Sequence, residues 1–198
     1  MTTSADGRRL RGDRTRQRAA RAAARLATVQ GLDALSVGTL AEASGASKSG
    51  LLTVFGNREE ILLAAVAEAR ELYVEHVIAP AWGAVPGGAR LRALLDQWVA
   101  YLRAEVFPGG CFVAATSAEY GHRTGRVADA VRALKQEWLD LLVRELTTAG
   151  VARPDEAAFR VDAYLVAANT RRELFGDDDA LVTAHRLALA VLDEAPSR

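Results

Sequence analysis

Residues 36–60 read S-V-G-T-L-A-E-A-S-G-A-S-K-S-G-L-L-T-V-F-G-N-R-E-E, and this stretch decides the fold. Its pattern predicts two short helices joined by a tight turn, followed by the start of a third helix. Ser36 is suited to cap the first helix, because its hydroxyl can accept an orphan backbone N–H. Gly45 supplies the positive φ at which such a helix ends. Ser47 is suited to cap the second helix, which we expect to run to about Val54.

The second of these helices has two unlike faces. Leu51 and Phe55 are spaced so that they share one face. Because an α-helix repeats about every 3.6 residues, Ser49 and Thr53 point the opposite way, with Lys48 beside them. An apolar face can seat the helix on its neighbours, while small hydroxyls and a cation remain outside. This division is what a helix needs in order to read DNA.

The segment Leu40–Glu60 resembles the helix-turn-helix of the TetR family of bacterial transcriptional regulators. In that family an alanine-containing helix is followed by Gly-Val-Ser, a small or basic residue, Thr or Gly, Leu-Tyr-x-x-Phe, a turn and Lys-Glu-Glu-Leu. The resemblance covers residues 14–64, with the turn glycine, the cap serine and the Asn57 cap of the third helix in register. This chain departs from the pattern at four positions: it has Ala46 where the family usually has Val, Gly50 where Thr is common, Leu52 where Tyr is common and Arg58 where Lys is usual. The tyrosine often touches a phosphate, so the change to Leu52 removes a hydrogen-bond donor.

The resemblance implies that the second helix lies in the major groove of DNA. The implied contacts to base edges or adjacent phosphates are Ser47, Lys48, Ser49, Gly50 and Thr53. The implied phosphate contacts from the flanking helices are Ser36, Thr39 and Arg58. Phosphate contacts set the register of a protein on DNA, and base contacts set its sequence choice. The alternative that stays open is two packed helices without a role in DNA binding.

The first helix, predicted over residues 14–30, carries two stripes. The basic stripe consists of Arg14, Arg18, Arg21 and Arg25, and the apolar stripe of Ala19, Ala22, Leu26 and Val29. Arginines on one stripe repel each other. Either some of them, above all Arg14 and Arg18, face phosphates, or the stripe is an exposed charged face. Residues 1–9 are either a solvated tail or, with Arg11, an arm in which Arg8 and Arg9 pair with DNA.

The charges of the chain are unevenly distributed. Lys and Arg number 25, as do Asp and Glu, so the net charge of zero indicates no class of partner. Residues 1–60, however, carry a net charge of +4 and residues 61–198 one of −4. A basic front and an acidic rear fit a DNA-binding head with a separate body. Together with the resemblance, they predict a DNA-binding domain over 1–60, and the resemblance implies a domain for ligand binding and dimerisation over 61–198.

Several classes of site and protein are not expected. Cys111 is the single cysteine, which excludes an intramolecular disulfide and fits a reducing cytoplasm. It is either a small buried hydrophobe or a redox sensor. His76, His122 and His185 show no paired metal-ligand spacing, so we expect no metal site. The sequence has no apolar run long enough for a membrane span, and no phosphate loop or nucleophile motif, so we expect neither a cofactor nor an enzyme.

The rest of the chain predicts an all-α protein. A long connector helix starts near Asn57 and breaks at Ala79-Pro80. Five body helices follow, over residues 90–106, 111–120, 127–149, 154–175 and 180–193. With three helices in the head and the connector, the total is about nine. The arrangement of head, connector and body is the one that the resemblance implies.

Aromatic and polar side chains on the body helices suit a site for a small molecule. The candidates are Trp98, Tyr101, Phe112, Thr116, Glu119, Tyr120, Trp138 and Tyr164, each of which is otherwise an ordinary core residue. Glu119 lies in an apolar helix. A buried carboxylate needs a partner or a cationic ligand, unless it lies in water at the helix end.

The last two helices carry apolar stripes that serve either the core or a partner. The resemblance implies a homodimer through these helices, with Phe159, Val166, Thr170, Leu181, Leu187 and Val191 as interface candidates. We therefore expect a homodimeric repressor that binds a palindromic operator in double-stranded DNA and leaves it when a small molecule binds the body. The alternative is a sequence-tolerant DNA-binding or protein-interaction module without an inducer.

Overall fold

The computed structural model describes residues 4–193, with side chains from residue 12 onward. Within these residues the chain forms nine helices and no strand, which confirms the all-α prediction. The helices are α1 (Ser4–Gln30), α2 (Val37–Ser44), α3 (Lys48–Phe55), α4 (Arg58–Tyr73, continued by a π-helical turn at Val74–Ile78 and by Ala79–Ala81), α5 (Gly88–Arg103), α6 (Phe112–Tyr120), α7 (Arg126–Thr148), α8 (Pro154–Phe175) and α9 (Asp179–Ala190, followed by a 3₁₀ turn at Val191–Asp193).

Several helix boundaries differ from the sequence prediction, and α5, for example, spans Gly88–Arg103 rather than residues 90–106. The backbone of α1 is already helical at Ser4, whereas we predicted a start at Arg14. Residues 1–3 and the side chains of Arg8, Arg9 and Arg11 lie outside the described part of the structure, and with them the predicted DNA-binding arm.

The connector helix also continues beyond the predicted break at Ala79-Pro80. The N–H of Ala79 bonds to the carbonyl of Val74, which widens the helix to a π-helical turn just before Pro80. In an α-helix the proline ring would clash with the carbonyl one turn earlier. The wider turn moves that carbonyl, so Pro80 lies inside the helix, which ends at Ala81.

Helix α1 packs through its alanines. The buried residues on it are Ala19, Ala20, Ala23, Ala24 and Ala27. Of the predicted apolar stripe, Ala19 is fully buried and Ala22 and Leu26 are partly buried against the core, whereas Val29 is 63% exposed, so the prediction was wrong for Val29 alone. The physical reason is that α1 contacts α2, α3, α4 and α6 at once, and side chains of one methyl group let helix backbones approach closely.

Head and body share one continuous apolar core. Leu32, Leu40 and Leu51 are fully buried in the head, and Leu94 and Leu142 in the body. The predicted boundary at residue 60 falls in the first turn of α4, which passes from the head into the body. In the body, α8 packs on both α7 and α9.

The loop after α5 lies directly on the backbone of α1. A Cβ atom on Gly109 would come within 2.0 Å of the carbonyl oxygen of Thr28. The N–H of Gly109 donates to Thr28 Oγ1 at 3.1 Å. Nearby, Arg25 Nη1 donates to the carbonyl of Val106 at 2.5 Å. Only glycine allows this contact between head and body.

We therefore expect Gly109→Ala to lower the free energy of unfolding by about 1–3 kcal/mol, the usual range for overpacking. Thermal or urea unfolding measures the effect. Gly83→Ala is the matched control, because a Cβ atom there meets nothing within 4 Å. Equal stability of the two variants would show that the loop does not press on α1.

Candidate nucleic-acid interface and body cavity

The two helices of the predicted helix-turn-helix begin with the predicted caps. Ser36 Oγ accepts the N–H of Thr39 at 3.0 Å, and Thr39 Oγ1 accepts the N–H of Ser36 at 3.1 Å, which forms a capping box on α2. Ser47 Oγ accepts the N–H of Gly50 at 3.0 Å at the start of α3. Between the two helices, Gly45 has a φ of 64°. The turn is thus fixed by local hydrogen bonds and by one left-handed glycine.

Helix α3 separates its apolar and polar residues as predicted. Leu51 and Phe55 are buried against the head. Lys48, Ser49 and Thr53 are exposed. The hydroxyl of Thr53 donates to the carbonyl of Ser49 at 2.8 Å, so its lone pairs remain free to accept from a base or a water.

The side chain of Lys48 extends along Gly38 of α2. A Cβ atom on Gly38 would lie 3.4 Å from Lys48 Nζ, so the missing side chain gives the ammonium group room. Leu52 is 44% exposed on the flank of α3 next to Lys48, where the family pattern has tyrosine.

The basic stripe of α1 divides into two halves. Arg21 lies 3.6 Å from Glu68 of α4, and Arg25 donates to the loop after α5. Arg14 and Arg18 are exposed and have no partner within residues 12–193. Only the N-terminal half of the stripe therefore remains available for phosphates.

Sequence reasoning missed Arg16, which joins α1 to α3. Its Nη1 donates to the carbonyl of Val54 at 3.1 Å, and its guanidinium lies 4.8 Å from the ring centre of Phe55. The interval between Arg16 and the residues of α3 is too long for a sequence pattern to reveal.

Arg58, a predicted phosphate contact, binds the loop between α1 and α2. Its Nε donates to the carbonyl of Leu35 at 2.8 Å, and its Nη2 to the carbonyl and carboxylate of Asp33. Arg123 lies 2.6 Å from the same carboxylate, and this hydrogen bond is the main reason why the pKa of Asp33 is lowered. A phosphate at Arg58 would have to compete with these contacts.

Glu119, a predicted ligand contact, has two partners in the head. Its Oε2 accepts the N–H of Leu32 at 2.8 Å, and its Oε1 accepts the N–H of Asp33 at 2.7 Å. The sequence prediction for Glu119 is corrected accordingly, because its carboxylate is satisfied by backbone amides. No local pattern links Glu119 to this loop.

The remaining ligand candidates do not form one site. Trp98 and Trp138 line an internal cavity of the body. Tyr164 lines a separate groove between α8 and α9, and Tyr120 stacks with Arg123 near the head. The other three, Tyr101, Phe112 and Thr116, are buried in the core of the body.

The internal cavity is small and mostly apolar. Its volume is about 20 Å³, enough for one water molecule. Its lining includes an ion pair, in which Lys135 Nζ lies 2.6 and 2.7 Å from the two carboxylate oxygens of Asp162. The other lining residues are Tyr73, Trp98, Cys111, Val113, Ala114, Trp138, Leu165 and Val166. Sequence reasoning missed Tyr73, Lys135 and Asp162, because the helices that bring them together are distant in sequence.

A larger cleft of about 200 Å³ lies beside the cavity, between α4 and α7. Tyr73, Val113 and Trp138 line both spaces. The rings of Tyr73 and Trp138 meet edge to face at a centroid distance of 5.6 Å. The π-helical turn of α4 contributes Val74 and Ile78 to the cleft. The two spaces are therefore neighbours that share aromatic walls.

The polar groups of the cleft lie at its rim. Arg70 of α4 donates from Nε to Glu137 of α7 at 2.7 Å. Trp82 stacks with Arg144, whose guanidinium lies 5.5 Å from the ring centre. The pair of Arg70 and Glu137 joins the connector helix to the body.

Helices α8 and α9 expose several apolar side chains. Of the predicted dimer contacts, Phe159 and Val166 are exposed, as is Thr170, and Leu187 is half-buried. Leu181 and Val191 are 0% and 2% exposed, so they belong to the core of their own chain, and their assignment to an interface is corrected. The exposed apolar residues that we did not predict are Leu174, Phe175 and Val182. A single sequence does not show which apolar stripe of α9 packs on α8.

The described residues contain no group of three or more His, Cys, Asp or Glu side chains placed to hold a metal ion. Among the same residues, no helix is both long enough and apolar enough to cross a membrane.

Comparisons with protein families match two parts of the chain. Residues 20–65 match the family described as bacterial regulatory proteins, tetR family. Residues 87–188 match the family described as tetracyclin repressor-like, C-terminal domain. A comparison with curated protein sequences gave no match.

Solved structures share the fold over most of the chain. A TetR regulator from Chloroflexus aurantiacus is 24% identical, with a TM-score of 0.82 over 93% of this chain and 96% of that one. SCO4454, a TetR-family regulator from Streptomyces coelicolor, is 22% identical, with a TM-score of 0.80 over 91% and 95%. AibR, solved with isovaleryl coenzyme A and operator DNA, is 22% identical, with a TM-score of 0.65 over 89% and 96%.

Because Cys111 is buried beside the small cavity, its thiol should be unreactive in the folded protein. Burial raises the pKa of Cys111, so little thiolate is present at neutral pH. We expect iodoacetamide to label the native protein at pH 8 much more slowly than the urea-unfolded chain, because burial both hides the thiol and disfavours the thiolate. Labelling at equal rates would show that the Cys111 thiol is accessible in the folded protein.

Proposed function

The chain belongs to the TetR family of bacterial transcriptional regulators, and on that basis we propose that it is a ligand-responsive repressor that binds a palindromic operator as a homodimer. Regulators of this family are DNA-binding transcription factors and not enzymes. The observation that carries the proposal is α3, which is seated by Leu51 and Phe55 and exposes Lys48, Ser49 and Thr53.

In the proposed complex α3 enters the major groove. Lys48 is suited to guanine O6 and N7 or to a phosphate, and Thr53 and Ser49 to either bases or phosphates. Ser47 and Gly50 form the N-terminal turn, where the absence of a side chain on Gly50 permits a close approach to DNA. Residues outside α3, on α1 and at the starts of α2 and α4, would contact phosphates: Arg14, Arg18, Ser36, Thr39 and Arg58.

For the hydroxyl of Ser36, phosphate binding is compatible with capping, because a hydroxyl that accepts one backbone N–H can still donate to an anion. The hydroxyl of Thr39 donates to the carbonyl of Ser36 at 3.1 Å, so it would have to give up that hydrogen bond to donate to a phosphate. For Arg58, the loop contacts leave fewer free donors, so we assign it the weakest of the phosphate contacts.

The proposed dimer forms through α8 and α9. On α8, Phe159, which is 74% exposed, shares a helix face with Val166 and Thr170, which are also exposed. An exposed apolar stripe of this kind favours a partner surface. A two-fold axis would set the two α3 helices about one DNA turn apart, roughly 34–36 Å, and would match a palindrome.

The proposed ligand is a small, largely apolar molecule that binds the cavity and the adjoining cleft. Aromatic walls with a few polar groups are typical of such sites. The present cavity holds about 20 Å³, so binding would require the rings of Tyr73 and Trp138 to move apart. The AibR structure, which contains both an acyl coenzyme A and operator DNA, supports a combination of ligand and DNA binding in this fold.

Ligand binding would release DNA by changing how the two heads are spaced. Helix α4 starts in the head and lines the cleft at its π-helical turn, so a ligand there would bear on the connector. Coupling of this kind is reciprocal, and operator DNA should weaken ligand binding by the same factor. We place the protein in the cytoplasm, where chromosomal DNA is accessible.

If Lys48 and Thr53 contact bases, Lys48→Ala and Thr53→Ala should each weaken binding to the operator by about 1–3 kcal/mol. Each change should also relax sequence choice at the base pair that the side chain contacts. The measurement is binding to the DNA upstream of the gene and to a scrambled duplex, at one fixed salt concentration. An equal loss on both duplexes would make these residues phosphate contacts. Equal affinity of the wild type for both would favour a sequence-tolerant module.

Replacing both Arg14 and Arg18 with Ala should lower the slope of log K against log salt, because each phosphate contact releases counterions. Arg153→Ala is the control, since Arg153 is exposed at the start of α8 and pairs only with Glu156 among the described residues. An unchanged slope in the double variant would assign these arginines to solvent.

Phe159→Asp should convert the dimer into monomers and lower the affinity for a palindromic operator, because the charge would be buried at the interface. Sedimentation at several concentrations measures the assembly. Val85→Asp is the control, since Val85 is as exposed as Phe159 but lies in the loop between α4 and α5. An unchanged mass of the Phe159 variant would exclude this surface.

A further inference from the structure

The last turn of α6 holds the loop that joins α1 to α2. The two oxygens of Glu119 accept two successive backbone amides, those of Leu32 and Asp33, at 2.8 and 2.7 Å. Gly31 has a φ of 89°, and a Cβ atom on it would lie 3.3 Å from Glu119 Oε1. Successive amides of this kind form a concave site for an anion. Here the anion is a side chain of the body, and the site lies in the head.

The same loop is held from a second side. Arg123, which follows α6, lies 2.6 Å from Asp33 Oδ2, and Arg58 at the start of α4 lies 3.3 Å from Oδ1. We call Glu119, Arg123, Leu32 and Asp33 the head clamp. Both body residues of the head clamp belong to the C-terminal end of α6 or to the loop after it.

The first turn of α6 forms a wall of the body cavity. Cys111, Val113 and Ala114 line the cavity, and Val113 also lines the cleft. The N–H of Cys111 donates to Asn169 Oδ1 of α8 at 2.8 Å. With a rise of about 1.5 Å per residue, Ala114 and Glu119 are only about 7–8 Å apart along one helix. A shift of α6 at the cavity therefore also moves its end at the head clamp.

We propose that Glu119 is the coupling residue through which occupation of the body cavity changes the position of the DNA head. The inference rests on the proposed ligand response and names its path. A molecule that enters between α6 and the ring of Trp138 displaces α6, and the carboxylate of Glu119 leaves the amides of Leu32 and Asp33. The head then changes its angle to the body.

The geometry suits a switch between two states. Charge-assisted hydrogen bonds depend strongly on distance and angle, so a displacement of about 1 Å is enough to break them. Leu32 is itself buried, whereas Asp33 is half-exposed, so the loop can exchange Glu119 for water on one side. The groups that donate to the Glu119 carboxylate are two backbone amides, whose positions are set by the chain, and this makes the clamped state well defined.

The test uses the full-length protein and needs no identified ligand. Ala114→Leu enlarges a side chain of α6 into the cavity and takes the place of an occupant. Glu119→Gln keeps the shape of Glu119 but removes the charge and one acceptor. Glu156→Gln is the matched control, because Glu156 is exposed at the start of α8, a helix that contributes no residue to the head clamp.

Two readouts are measured on the single variants and on the double variant. Hydrogen exchange of the Leu32 and Asp33 amides reports the head clamp directly, and affinity for the DNA upstream of the gene reports the head. We expect Glu119→Gln to speed exchange of these two amides about tenfold or more, as loss of a charge-assisted hydrogen bond would. Ala114→Leu should speed the same exchange and weaken DNA binding. In the double variant, where Glu119 is already Gln, adding Ala114→Leu should change neither the exchange rate nor the DNA affinity any further.

An Ala114→Leu variant that weakens DNA binding equally with Glu and with Gln at position 119 would overturn the proposal, since coupling would then bypass Glu119. Unchanged exchange in both single variants would overturn it as well. If the wild type does not bind the upstream DNA, the proposed function fails. Hydrogen exchange of the Leu32 and Asp33 amides alone then tests whether Ala114→Leu opens the head clamp. Melting curves identify variants that do not fold, and Arg123→Gln then replaces Glu119→Gln as the change that opens the head clamp.

Discussion

The position of the DNA head depends on the close packing of α1 against the body. The alanine face of α1 brings its backbone against α4 and α6, and the loop at Gly109 contacts the same helix at Thr28, near its C-terminal end. Three helices, of which α2 and α3 have only eight residues each, enclose little apolar area, and small units of this kind are marginally stable alone. The head therefore takes part of its stability from the body, and its orientation is set by the same contacts.

This dependence explains which basic residues of the head are bound to other parts of the protein and which of those described are free. Arg21, Arg25 and Arg58 look equivalent to other basic residues of the head in sequence, yet each is bound to a neighbouring helix or loop. Arg14 and Arg18 lie farther from the body and remain free of protein partners among the described residues. The basic character of the head thus serves two purposes: the part near the body holds the head in place, and the part away from it faces solvent or DNA.

The sequence predicted those features that depend on neighbouring residues. The caps at Ser36, Ser47 and Asn57 and the turn at Gly45 arise within a few residues, and all four are present in the structure. Features that join distant segments were missed or misassigned. The partners of Glu119 lie in another domain, so its carboxylate was taken for a ligand contact, and the cavity residues Lys135 and Asp162 come from different helices. Apolar periodicity likewise showed that α9 has a buried side, but it did not show whether the same chain or a partner covers that side. Leu181 and Val191 were therefore assigned to an interface although they are buried in their own chain.

The central claim is that two copies of this head present α3 to one duplex at a spacing that the paired bodies determine. Hydroxyl-radical footprinting of the full-length protein on the DNA upstream of its gene tests the claim most directly. The account predicts two protected segments on one face of the duplex, related by an inverted repeat and centred about one helical turn apart. A single protected segment, or uniform protection without a preferred site, would contradict it.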